Sequence, residues 1–441
     1  MLLTWHGMLT GKRRNGMHDS NGWDWETGKR LIADIGQWEN DFEQVMEPIT
    51  SMDGEKIAAV VKTGEMEYSA CVNGVAWENS FDKVWYLKYT ADGRLTGIVS
   101  DTAEWTVAVD GEPWENRFDF VWDTHLSQDG QKIIVAIQKG GEYGAAINDM
   151  PWETLFKSAT DLITSKDGAQ TAAVVQTVAI EEGAIFDFQK GCFSAAVNGQ
   201  VWPNNFVNVW ELSFSPDGQH LAAGVRTNLY NYTIAVDGTP WSETFASVWR
   251  PQFHPTDGSV TAPIREGGTW HLYKNGAPEW ERGFAQLWNH HYSSDGKRIA
   301  AIVASEFGKW TVAVDGDPWP VTFPDLVTDL VFSPDGRRVA CVGKSDTQWS
   351  VAVDGEIWNH PCDMAFKPVF SADGKHVAAR VEKDGHYTVL VNGRPLSASY
   401  LVLWDPLFSP DNDKLLIRGV IRHGGNTRYY RQVLPLTEIL D

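Results

Sequence analysis

Four cysteines, twelve histidines, twenty-two tryptophans and a series of Asp-Gly pairs are the residues of this chain whose types and spacing could do chemistry. Thiols hold iron–sulfur clusters, c-type haem or zinc when they come as C-x-x-C or C-x-x-C-H. Cys71, Cys192, Cys341 and Cys362 form neither pattern. Cys71 and Cys341 sit in apolar strand patterns and read as buried free thiols. His290 and His291 are adjacent, so in a strand their rings point to opposite faces and cannot share a metal. The chain has no H-E-x-x-H, no G-x-S-x-G, no P-loop and no G-x-G-x-x-G in a Rossmann context. No catalytic residue, cofactor site or metal ligand is assigned, and the chain does not read as an enzyme.

The Asp-Gly pairs could be acidic metal ligands, but their spacing points to turns. They begin at Asp53, Asp92, Asp129, Asp167, Asp217, Asp257, Asp295, Asp335 and Asp373, with a degraded copy at Asp411-Asn412. Successive pairs are 37 to 40 residues apart, except for 50 between Asp167 and Asp217. Asp bonds its own downstream backbone and Gly accepts the positive φ that follows. A period near 38 belongs to propeller-blade repeats. One unit, residues 212–249, divides into four extended pieces: LSF, HLAAGV, YTIAV and the stretch around TFASVW. The expected fold is all-β: a β-propeller of four-stranded blades.

Strand three explains itself. WTVAVDG occurs at 105–111 and again at 310–316. Neither of its alternating faces carries a charge before the turn, so it is buried on both sides, as a sheet between two neighbouring blades must be. Paired alanines such as Ala58-Ala59 and Ala222-Ala223 leave room for bulky neighbours.

The tryptophans keep the same register. Trp38, Trp77, Trp114, Trp152, Trp202, Trp241, Trp280, Trp319 and Trp358 follow the second turn. Trp85, Trp122, Trp210, Trp249, Trp288 and Trp404 end the fourth piece, and Trp105, Trp270, Trp310 and Trp349 open the third. Recurrence at fixed repeat positions argues for packing between blades. An aromatic ligand surface and a relay for electron hopping stay open as other readings.

Nine units run complete from about residue 49 to about residue 404. Residues 29–48 resemble the second half of a unit and 406–421 the first half, with a third strand after it, so the two ends can build a tenth, composite blade. The expected organisation is a tail over residues 1–28 and a single closed propeller over 29–441. Ten blades exceed the usual four to eight, so two smaller rings remain the alternative. The long interval places an inserted, longer hairpin at 176–191. Its Ile180, Ile185, Phe186 and Phe188 are candidates for a partner-binding loop. Lys12, Arg13 and Arg14 form a basic island in the tail.

Net charge is −21, which repels phosphate and makes nucleic acid and anionic lipid poor partners. No stretch of 18 apolar residues occurs, and the N-terminus lacks the apolar core of a signal peptide. The expectation is a cytoplasmic chain with no membrane span of its own.

F-S-x-D-G-x-x-x-A-A resembles the strand–turn–strand of TolB and WD40-like propellers. V-D/N-G-x-P-W followed by F-x-x-V-W is more specific. Over essentially the whole chain, these units resemble the tryptophan-rich D subunit of the Tmc transmembrane redox complexes of sulfate-reducing bacteria. The resemblance implies a cofactor-free accessory subunit on the cytoplasmic side of an electron-transfer complex. Its partners would be an iron–sulfur subunit, a membrane cytochrome b and, indirectly, a multihaem cytochrome c. The family supplies no catalytic residue to carry over. The second reading is a propeller that binds or processes a small ligand or ion in its central channel.

Overall fold

The computed structural model describes residues 20, 22–179 and 185–440. It is a ring of ten antiparallel sheets, a ten-bladed β-propeller. We number the blades from the first sheet formed after residue 43. In the fifth, Asn208–Phe214, Leu221–Arg226, Tyr232–Val236 and Thr239–Pro240 lie in that order. First strands of neighbouring blades touch one another around the axis. In nine of the ten blades the fourth strand is only two residues long, which leaves little open edge for another chain to pair with.

The structure shifts the phase of the repeat. The V-W step belongs to the first strand of the next blade, not to the fourth strand of its own. Trp210 and Phe214 thus share one strand, with a register shift between Trp210 and Ser213 and Glu211 at φ 52°. Seven first strands carry such a bulge. In the other three, Arg250-Pro251, Lys367-Pro368 and Asp405-Pro406 split the strand into two short pieces. The polar or proline-bearing step reads in sequence as a strand end, whereas the chain passes through it and bends.

Two sets of hydrogen bonds explain why the turn residues recur. In the first turn, the Ser215 hydroxyl donates to Asp217 Oδ1 at 2.5 Å, and the same oxygen accepts the Gln219 N–H at 3.1 Å. In the second turn, an Asn or Asp side-chain oxygen accepts the N–H that opens strand two. Asn73, Asp110, Asn148, Asn198, Asp237, Asn275, Asp315, Asp354 and Asn392 all do this, at 2.8–2.9 Å. Nine of the ten blades are therefore tied across the same end by both of their turns.

These bonds predict the acid limit of the fold. The Ser hydroxyl, then the backbone N–H, holds Asp129, Asp167, Asp217 and Asp335 below the usual carboxylate range. Asp257 and Asp295 are lowered to about 2, with the Ser259 and Ser293 hydroxyls as the first cause. Groups lowered in the fold stabilise it above their unfolded value, and that stability is lost as pH falls through the folded value. Burial, with the neighbouring His291 charge, pushes His290 down to about 3, so the unfolded chain takes up this proton first. Stability should decline from about pH 6.5, the ordinary histidine value, and collapse between about 4 and 2. Ser293→Ala should move the acid midpoint, read by circular dichroism, to higher pH. An unchanged midpoint would show that these turns do not govern acid unfolding.

The core is a series of ten clusters, one in each gap between blades. Each contains one residue of the position after the second turn: Trp38, Trp77, Trp114, Trp152, Trp202, Trp241, Trp280, Trp319, Trp358 and, in the last gap, Leu396. All nine rings are buried or half-buried. Several press on the turn glycine of the following blade: a Cβ on Gly111 would lie 3.0 Å from Trp77, and one on Gly238 3.0 Å from Trp202. The alanine pairs split between the two faces, Ala58 into one gap and Ala59 into the other.

The ring closes through the tenth blade, but the halves are unequal. The N-terminus gives only its outer strand, Gly28–Asp34, which pairs with Asn426–Pro435. The C-terminus gives the rest, including the hairpin Lys414–His423 and Asn426–Pro435. Residues 35–41, expected to continue a blade, form a short helix, Ile35–Asp41. Part of the expected tail is held on the ring, since Asp24 O accepts from Arg431 and the Asp24 carboxylate pairs with Arg30 at 3.4 Å. The Lys12–Arg14 island lies outside the described residues.

Candidate functional site

The fold sorts its surface into two faces and a channel. Loops joining strands two and three, and connections between blades, share one face. The two Asp/Asn turns of the first nine blades, and the one such turn of the tenth, share the other. The exposed tryptophans and phenylalanines among the described residues are all on the first face. Trp85 (38 % exposed), Phe120 and Trp249 lie near the start of first strands, and Tyr230 and Phe307 lie on the loops between strands two and three of the fifth and seventh blades. Exposed apolar residues of the opposite face are aliphatic or methionine: Val75, Met150, Val201 and Ile357.

On the second and third blades the rings of the loop face are continuous. Trp85 and Trp105 centroids are 4.5 Å apart, Trp105 and Phe120 5.1 Å, Phe120 and Trp122 5.8 Å, and Trp122 and Tyr143 6.1 Å. The Lys83 ammonium lies 5.3 Å from the Trp85 ring and 5.5 Å from Trp105. Trp249–Trp270 and Trp288–Trp310 stack in the same way at 5.5 and 5.1 Å. These two tryptophan positions pair within a sheet, whereas the position after the second turn fills the gap between sheets.

The insertion also lies on this face. It carries a short helix, Ile185–Lys190, between the second and third strands of the fourth blade, where a plain longer hairpin was expected. Phe188 is half-buried. Ile180 and the side chains of Ile185 and Phe186 lie outside the described residues.

The channel has its own chemistry, which the sequence reading missed. The step after V-W places one side chain per blade on the innermost strand beside the axis. Glu47, Asp123, Asp161, Glu211, Asp329 and Asp405 are acids, Arg250 and Lys367 are cations, and Tyr86 and Asn289 are neutral. The charges are interleaved on one arc only, from the sixth blade to the tenth. There burial pushes His291 down to about 4, helped by Lys367 and Arg250. Burial also raises Asp329 and lowers Lys367. One polar or tyrosine residue follows each V-W-like pair in the sequence, where the pattern reads as the end of a strand.

Among the described residues no group of three or more His, Cys, Asp or Glu is placed to hold a metal ion. All four thiols are free and buried. Burial pushes Cys71 and Cys362 up to about 11 and raises Cys192 and Cys341 as well. A thiol held protonated is a poor nucleophile and a poor ligand. His290 and His291 diverge as expected: His290 Nε2 meets the Thr261 hydroxyl of the preceding blade at 2.8 Å, while His291 is on the channel side with Arg250 and Lys367. No helix among the described residues is long and apolar enough to cross a membrane.

No known protein family and no curated protein matches the chain. Solved structures match at low identity. A eukaryotic initiation factor is 12 % identical, with a TM-score of 0.47, over 75 % of this chain and 90 % of that one. The Swd1 β-propeller domain of Myceliophteria thermophila is 13 % identical, with a TM-score of 0.30, over 62 % and 95 %. One of two prolyl endopeptidases is 12 % identical, with a TM-score of 0.38, over 79 % and 56 %.

Proposed function

We propose that this chain is a non-catalytic docking scaffold, an accessory subunit that holds the redox subunits of a membrane-bound electron-transfer complex. The observation that carries docking is the sorting of the surface. Half-open aromatic rings and the inserted segment share one face of a rigid ring, and aromatic residues are the usual anchors of protein interfaces. The redox assignment rests on the resemblance of the tryptophan-rich units to the Tmc D subunit. It names an iron–sulfur subunit as the direct partner, then a membrane cytochrome b and, indirectly, a multihaem cytochrome c.

The test is affinity purification from native membranes, read by haem absorbance and mass spectrometry. Haem and iron–sulfur subunits should co-elute with the wild type, and Trp249→Ser combined with Phe307→Ser should reduce their recovery severalfold without changing the fold. Recovery of the chain alone, free of haem, would defeat the redox assignment. Undiminished recovery by the double variant would defeat the choice of face.

A further inference from the structure

The rings of the loop face on the second and third blades are set in a rim of carboxylates. Glu104 precedes Trp105, Asp119 precedes Phe120, and Asp101 pairs with Glu104 across a hairpin. The Asp82 carboxylate accepts the Thr102 N–H at 2.8 Å, which pins that hairpin beside the strand carrying Lys83 and Trp85. Asp101, Glu104 and Asp119 are exposed. Asp101 and Glu104 have no ion pair and no side-chain hydrogen bond among the described residues, and Asp119 accepts only the Gly141 N–H, at 3.4 Å.

The cations of this region already sit on rings. Lys83 reaches both Trp85 and Trp105, and Lys139 lies 5.9 Å from the centre of Phe118. Arg117 is spent on the carbonyls of Trp114 and Asn116. Trp85 and Phe120 nonetheless stay 38 % and 37 % exposed. Open aromatic faces beside unpaired carboxylates are complementary to a positively charged, planar group. On the fifth and seventh blades the charges beside the exposed rings are of mixed sign. Arg226 lies 5.4 Å from the Tyr232 ring, and Glu306 is paired with Lys309 at 2.8 Å.

We propose that the stripe from Trp85 to Phe120 takes an arginine-rich segment of the docked partner. Guanidinium planes stack on the two open rings, and their N–H donors go to Asp101, Glu104 and Asp119. Arginine suits the stripe better than lysine, because a planar guanidinium stacks and pairs with a carboxylate at once. This surface chemistry rests on the docking reading and is independent of the redox one.

The test titrates the full chain calorimetrically with a short synthetic peptide of alternating arginine and glycine, and with its lysine counterpart. The arginine peptide should bind saturably and severalfold tighter than the lysine one. Trp85→Ser combined with Phe120→Ser should weaken it about tenfold. Asp101→Asn combined with Glu104→Gln should weaken it severalfold. Glu112→Gln combined with Glu356→Gln, the same charge change on the opposite face, should not. Lys83→Ala should tighten binding, because it takes a competing cation off Trp85, while Lys297→Ala on the opposite face should leave it unchanged. If the aromatic double variant does not fold, the carboxylate and Lys83 variants decide. Absence of saturable binding, or equal affinity for the two peptides, overturns the proposal. So does an equal loss in the Glu112 and Glu356 variant, which would mean general attraction to a chain of net charge −21. The peptide needs no redox partner. Its failure beside a membrane purification that still depends on Trp249 and Phe307 would remove this stripe and leave the docking reading standing.

Discussion

Replacing Arg418 by Met will destabilise the protein by about 3–5 kcal/mol, read as a lowered urea midpoint with the fold retained in water. Arg418 is 2 % exposed and sits where the composite blade meets the first. Its guanidinium donates to Ser51 O at 3.0 Å, to Asp405 O at 2.8 Å and to the Thr50 hydroxyl at 3.4 Å. The variant removes three charge-assisted bonds of about 1.5–3 kcal/mol each, although Ser51 O keeps the Gly54 N–H at 3.1 Å. Around it, the Tyr429 hydroxyl donates to Gly54 O at 2.9 Å, Arg431 Nε donates to Asp53 O at 2.8 Å, and the same nitrogen pairs with Glu55 at 2.9 Å. Residues 35–43 bridge this gap as the other connections bridge theirs, while the two ends of the chain meet inside the composite blade, where Gly28–Asp34 pairs with Asn426–Pro435. The arginine cluster therefore ties the C-terminal strands of that blade directly to the first turn of the first blade. A loss below about 1 kcal/mol would mean that the strand holds the ring without the arginine lock.

The parts of this architecture that were legible in the sequence are those that repeat. Asp-Gly turns, alternating strand three and the tryptophan after the second turn each have a local cause, so ten blades could be counted from residue types alone. The join of Trp210 to Phe214 was not legible. Glu211 there adopts a positive φ that no residue type announces, so a strand that continues looks like one that stops. For the same reason the channel ring went unread: Arg250 and Lys367 look like loop residues until the register puts them beside the axis. The arginine lock is a feature of one gap only, and a repeat pattern cannot show what happens once. The short helix Ile185–Lys190 in the candidate loop has no repeat partner to reveal it.

Trp202→Ala and Gly238→Ala should each be destabilising, and together should cost less than their sum. Trp202 is 7 % exposed and packs in the gap between the fourth and fifth blades with Ala172, Val174, Phe206, Val209 and Leu221. Truncation opens a cavity worth about 3–5 kcal/mol. Gly238 has φ +80°, and a Cβ there would stand 2.9 Å from Pro203 Cδ and 3.0 Å from Trp202 Cβ. Strain and overlap together cost about 1–3 kcal/mol. The two costs are not independent. Once part of the Trp202 side chain is gone, the neighbour has room to shift away from the new methyl, while the backbone strain at φ +80° persists. A urea double-mutant cycle should therefore show a coupling of about 0.5–1.5 kcal/mol in favour of the double variant. Trp85→Ala, where the ring is half open, should lose only about 1 kcal/mol in the same assay. Strict additivity at Trp202 and Gly238, or equal costs at Trp202 and Trp85, would remove the tryptophan–glycine step as the device that sets blade spacing. The recurring W and the recurring G would then be separate local habits of the repeat. With the coupling, they are two halves of one contact made between successive blades, which is why the sequence repeats them together.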